Sequence, residues 1–230
     1  MNANDFLKKL KTMRSPTVAQ SHSHLAAEDS AVLGVRMGQV FALAKESMDM
    51  PLAEIEKMLE SPIHEMRVGA VSIMDFKARS KKITDQRRKE LFDLYIRRHD
   101  RINTWDLVDR SAPNVVGAYL LDKPRKILYK LARSKKMPER RTAIVATLYF
   151  IGKGDTEDSF RLAELLLHDN EDLIHKANGW ALRFAGDKDR KGLLRFLDKH
   201  AADMPRTTLR YALEHFDKTQ RDYYMKMKTK

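Results

Sequence analysis

Residues 140–148 read RRTAIVATL, and three other stretches follow the same plan: MRVGAVSIM at 66–74, HKANGWALR at 175–183 and TTLRYALEH at 207–215. Each sets a basic or polar residue ahead of small and apolar residues at helical spacing. Arg67 and Arg141 stand 74 positions apart, twice 37, and Arg141 and Lys176 stand 35 apart. A period of that size with two helices per unit marks a helical repeat. Each helical pair has a face that it cannot bury alone, so neighbours stack. The reading is an all-α, HEAT-like helical-repeat solenoid, a curved superhelix whose inner helices line a concave groove.

Working outward, nearly every other segment is also helical. Phe6, Leu7, Leu10 and Met13 form one apolar stripe that Ser15-Pro16 stops, and a polar stretch runs to about residue 30. VRMGQVFALAKE (35–46) and PLAEIEKMLE (51–60) are helical, and Ser61-Pro62 opens a long segment with serine at the cap and proline in the first turn. Thr84 can cap the next helix, where Leu91, Leu94 and Tyr95 keep the three-and-four spacing. Loops near 123, 135, 154, 170, 187 and 203 divide the rest, giving about a dozen short elements. The expected organisation is one domain over 1–230: a helix and loop to about 30, repeats over about 31–217, and a basic tail over 218–230.

The chain has 44 Lys and Arg against 32 Asp and Glu in 230 residues, a formal net charge of +12. Such a balance attracts polyanions, nucleic acid before an anionic membrane. No apolar run approaches the roughly 20 residues of a membrane-spanning helix, and MNANDFLKKLKTM lacks the apolar centre of a signal peptide. The expectation is an intracellular, cytoplasmic monomer without a membrane partner. With no cysteine there is no disulfide framework, thiolate nucleophile or Cys-ligated metal. His22 and His24 sit in a loop-like SHSHL, and HEMRV at 64–68 lacks the second histidine of a zinc helix, so neither metal nor cofactor is expected. GKGD at 152–155 lacks the lysine and hydroxyl of a phosphate loop and reads as a glycine helix end. A mean hydropathy of -0.55 reflects polar outer faces of helices rather than disorder.

NTWDLVDRSAP at 103–113 sets a tryptophan and two carboxylates together in this basic chain. Helical spacing returns Asp109 to the face of Trp105, whereas Asp106 lies about 100° around the helix. Asp109 is therefore the stronger candidate carboxylate and Asp106 the weaker.

HEMRVGAVSIM, NTWDLVDRSAPNVVGAYL, PERRTAIVATL and IHKANGWALRFAG, in that order, resemble successive motifs of the DNA alkylation repair enzyme family, the AlkD-like DNA glycosylases. The resemblance runs from about residue 33 to about 216; residues 1–32 and the MKMKTK tail match little. It implies a HEAT-like fold and excision, from duplex DNA, of purines made cationic by N3 or N7 alkylation, without enclosing the base in a pocket. It implies that Asp109, Trp105 and Trp180 surround the sugar of the damaged nucleotide and that Arg141 holds a flanking phosphate. Trp105 and Trp180 are the two tryptophans of the chain, one in each segment where the motif requires it.

The chemistry suits those residue types. An N3- or N7-alkylated purine departs neutral without protonation, leaving an oxocarbenium-like sugar. A preorganised carboxylate stabilises that charge and orients water. Tryptophan faces add a cation–π contribution of about 0.5 to 2 kcal/mol each, and the arginine fork fits phosphate. Arg67, Lys176 and Arg206, near the position of Arg141 in their own repeats, are expected to meet further phosphates. Each residue also has a structural reading. Asp109 could cap a helix or pair with Arg110 or Arg141, the tryptophans could be core, and Arg141 could belong to an internal charge ladder. KARSKK (77–82), QRRK (86–89) and ARSKK (132–136) read equally as solvated surface or DNA contact. Active family members carry aromatic side chains in their first helices, whereas here no tyrosine precedes Tyr95 and the early aromatics are Phe6 and Phe41. The alternative is a non-catalytic HEAT-like protein that binds damaged or branched DNA, and a third reading is a protein-interaction scaffold.

Overall fold

Apolar residues recur at three and four positions along almost the whole chain, and the computed structural model resolves them into helices; it describes residues 1–22, 27 and 30–227. His24 and the last three residues of the lysine-rich tail lie outside the described residues. Among the described residues the sole strand-like feature is an isolated bridge between Ala31 and Ile63. Among the described residues no helix is long and apolar enough to cross a membrane. Contacts divide the chain into two compact units, Met1–Tyr119 and Leu120–Lys230.

The first unit contains α1 (Ala3–Thr12), α2 (Pro16–His22), α3 (Met37–Glu46), α4 (Leu52–Leu59), α5 (His64–Ala78), α6 (Asp85–Arg97) and α7 (Trp105–Ala112), followed by a π-helical turn at Pro113–Gly117. α3, α5 and α7 pack side by side, with α4 and α6 against them. α5 is buried nearly all round because neighbours surround it, and its Val71, Ile73 and Met74 are fully buried. Each such side chain contributes about 1.5–3 kcal/mol relative to exposure. The Ala31–Ile63 bridge ties the preceding segment to the start of α5, and the Glu65 carboxylate accepts the backbone N–H groups of Leu33, Gly34 and Val35 at 2.7–3.2 Å.

The short α8 (Ala118–Leu120) falls on the division, and the second unit contains α9 (Lys126–Leu131), α10 (Met137–Gly152), α11 (Glu157–Leu165), α12 (Asp172–Lys188), α13 (Arg190–His200), α14 (Arg206–Ala212) and α15 (Lys218–Lys226). Here α10, α12 and α14 lie side by side, and α9, α11 and α13 form the other layer.

One hydrogen bond recurs in both units. The basic residue in the first turn of an inner helix donates to the carbonyl six residues earlier: Arg67 to Ser61 (2.8 Å), Arg140 to Ser134 (3.0 Å), and His175 Nε2 against Asp169 O (2.5 Å). The same residue also reaches the next repeat. Arg67 donates to Asn103 Oδ1 at 3.2 Å, Arg140 donates twice to Asp169 at 2.5 and 3.0 Å, and Thr208 donates to the His175 carbonyl at 3.1 Å. The buried loop carbonyls are thereby satisfied. This corrects the register read from the sequence by one residue. Arg67 is equivalent to Arg140 and His175, while Val68, Arg141 and Lys176 share the following position.

Local expectations meet five further outcomes. Thr84 caps α6 through the Arg87 N–H at 3.2 Å, and GKGD closes α10 with a glycine at φ +87°, where Gly154 N donates to Ile151 O and Asp155 N to Phe150 O. Ser61-Pro62 does not open α5. The helix begins at His64, because the Pro62 carbonyl takes the Ala31 N–H and Ser61 Oγ takes the Ile63 N–H. Pro16 ends α1 and also opens α2, its missing N–H costing nothing in a first turn. The basic tail is helical to Lys226: Asp217 caps it, and buried Tyr224 donates to Asp198 Oδ1 at 2.7 Å.

Two phenols donate to carboxylates, Tyr129 to Asp158 and Tyr224 to Asp198, and burial first, then the carboxylate, pushes each up to about 12. Because both lie above the ordinary phenol near 10, the stability they contribute is complete below about pH 10 and lost as pH rises toward 12. In an absorbance titration, two of the seven tyrosines should ionise last, near pH 12, and Tyr129→Phe and Tyr224→Phe should each remove one. A titration complete a full unit earlier contradicts this.

Candidate functional site

In the first unit the candidate residues sit on α7, whose neighbouring faces do different work. Asp106 and Arg110, one turn apart, hold the helix against α5. Asp106 Oδ2 meets Nε2 of the buried His64 at 2.8 Å, and its other oxygen accepts from Thr104 Oγ at 2.6 Å. Arg110 donates to Ser72 Oγ at 3.0 Å, pairs with the buried Asp75 at 3.3 Å, and lies over the rings of Phe41 and Phe76 at 4.6 and 4.8 Å. Burial lowers the Arg110 pKa, and Asp75 partly offsets this. Asn114 adds a third anchor, donating to Asp75 at 2.7 Å. Trp105 and Asp109 each precede an anchor by one residue, so they share a face about 100° away. Trp105 is 37% exposed and Asp109 is half-buried.

In the second unit the candidate residues sit on α10 and α12. Arg141 is only 4% exposed and donates to the Leu173 carbonyl at the start of α12. Lys176 pairs with Asp172 at 2.8 Å, and that hydrogen bond raises its pKa; Tyr211 and Arg141 act on the same ammonium. One turn on, Trp180 meets Phe184 edge-on with centroids 6.1 Å apart. Phe184 and Tyr211 are exposed, at 40% and 37%. Gly179 lets α14 approach: a Cβ there would stand 2.4 Å from Tyr211 Cβ and 2.7 Å from the Thr208 carbonyl oxygen.

The first unit thus brings Trp105 and Asp109 onto one face, and the second gathers Arg141, Lys176 and Trp180. One expected phosphate contact is corrected. Arg67 is completely buried, with its guanidinium given to Ser61 and Asn103, so it is a structural residue. Arg206 is exposed, donates to the Met225 carbonyl and lies 3.6 Å from Met225 Sδ, a tie to α15. The internal charge ladder runs through Arg67, Arg140 and His175. The sequence reading passed over His64, Asp75, Phe184 and Tyr211. The segment HEMRVGAVSIMDF held a signal for the first two, since a buried-looking helix carrying His64 and Asp75 needs polar partners.

Fold and site define an all-α protein of paired, stacked helices, with tryptophan and charge displayed on inner-layer helices. The chain belongs to the DNA alkylation repair enzyme family, whose model matches residues 6–216. Among solved structures it is similar to a predicted DNA alkylation repair enzyme from Enterococcus faecalis, at 16% identity and a TM-score of 0.68, covering 90% of this chain and 98% of that one. No curated protein matches the sequence.

Gly179→Ala should cost about 1–3 kcal/mol, the usual cost of overpacking against backbone, measured as the urea midpoint at constant slope. An unchanged midpoint would show that α12 and α14 do not need this close approach.

Proposed function

We propose that this protein is a DNA glycosylase that hydrolyses the N-glycosidic bond of N3-methyladenine and N7-methylguanine in duplex DNA, a step of base excision repair, on a HEAT-like array of helices. The observation that carries the reading is the arrangement on α7: Asp106 and Arg110 anchor the helix to α5, and the exposed Trp105 and the half-buried Asp109 share the adjacent face. Family membership supports alkylation repair as the setting.

In this mechanism the C1′–N bond breaks with its electron pair going to the cationic purine, which leaves neutral. Positive charge grows on the sugar, and the Asp109 carboxylate stabilises it. Water then adds to C1′, Asp109 accepts its proton and passes it to solvent. The faces of Trp105 and Trp180 lie along the deoxyribose and favour its cationic form. Lys176 and Arg141 attract the flanking phosphates, Lys176 as the more exposed of the two. Arg141, nearly buried, also stiffens the start of α12.

The test is release of free N7-methylguanine and N3-methyladenine from methylated duplex DNA at low salt. Asp109→Asn should reduce excision by on the order of 10²–10³-fold, the loss typical of a preorganised electrostatic group, with duplex affinity retained. Undiminished excision by Asp109→Asn removes the carboxylate from the mechanism. Binding without release by the wild type makes the protein a non-catalytic DNA binder.

A further inference from the structure

Where α3 ends and α5 gives way to α6, a cleft of about 200 Å³ is lined by Lys77, Lys82 and Arg87, together with Asp49, Ser80, Met48 and Ile83. The two lysines come from KARSKK and the arginine from QRRK, clusters whose role was open in the sequence. Folding brings them to one concavity.

We propose that this cleft seats a backbone phosphate of nucleic acid, separate from the contacts made by Arg141 and Lys176. Three cations face one carboxylate there, an excess of positive charge that a singly charged phosphodiester offsets. Lys77 and Lys82 form no ion pair among the described residues, whereas Arg87 pairs with Glu90 at 2.6 Å. Lys77 is half-buried, and desolvation followed by the Arg87 guanidinium lowers its pKa, with Asp49 opposing. Asp49 and Glu90 offset only part of this positive charge, and a bound phosphate supplies the remainder. Met48 and Ile83 give the cleft an apolar side, which suits the sugar flanking a phosphodiester better than a bare ion. Lys77 stands on the same helix as Phe76, whose ring carries the guanidinium of Arg110.

The inference rests on the reading of the chain as a duplex-DNA protein, and its test is independent of excision. Full-length wild type and the double variant Lys77→Met/Lys82→Met are titrated against a labelled, undamaged duplex over a range of salt. Methionine keeps the apolar stems, and the melting temperature checks the fold. Loss of one phosphate contact lowers the slope of log affinity against log salt by about 0.9. Lys77→Arg/Lys82→Arg should restore the slope. Lys8→Ala/Lys11→Ala, the same charge change on α1, should leave it unaltered. An unaltered slope in the methionine variant overturns the proposal even if the wild type excises bases. A lowered slope in a protein that releases no base upholds it and overturns only the glycosylase reading. Inorganic phosphate that raises the melting temperature of the wild type but not the variant, with equal duplex binding, makes the cleft a free-anion site and overturns the nucleic-acid assignment.

Discussion

A basic side chain at the start of an inner helix, turned back to the carbonyl six residues earlier, is the contact on which the stacking depends. Helical repeats bury apolar faces only against their neighbours, and apolar contact alone leaves the sliding of one pair past the next weakly determined. Arg67, Arg140 and His175 supply the missing direction: each grips its own loop, and each is linked to the next repeat through Asn103, Asp169 or Thr208. Directional hydrogen bonds set the register, and the small residues that follow let the helices close.

The same principle explains how α7 can display chemically useful groups without losing its position. A helix returns to one face every three to four residues, so four consecutive turn-related side chains divide into two adjacent faces. Asp106 and Arg110 fasten one of them to His64, Ser72 and Asp75, and Trp105 and Asp109 occupy the other. A group held on an anchored helix is preorganised, the condition under which fixed charge acts most strongly on a charge that develops elsewhere. In the second unit the counterpart is Gly179, whose missing side chain draws α14 in beside Trp180.

The basic excess has more than one destination. Part of it is structural: Arg67 and Arg140 serve the loops, Arg110 fixes α7, and Arg125 lies over Phe150 at 3.8 Å while pairing with Asp155 and Asp158 at 2.7 Å. Lysines such as Lys77 and Lys82 have no such engagement. Net charge therefore predicts attraction to a polyanion but not which cations meet it, because burial and competing carboxylates decide that residue by residue.

Apolar periodicity, the caps at Thr84 and Gly154, and the four related segments determined an all-α chain of repeated helices, since these are properties of adjacent residues and of helical geometry. The pairing of Trp105 with Asp109 on one face followed from the same spacing. Tertiary structure alone decided that Arg67 is buried and Arg206 tied to α15, that the repeat register lies one residue from the aligned one, and that KARSKK and QRRK meet in a cleft. The physical reason is that periodicity states which residues share a face, whereas a partner fifteen to fifty residues away states what that face touches. A cation beside a loop carbonyl becomes structural, and the same cation beside open solvent remains available to a phosphate.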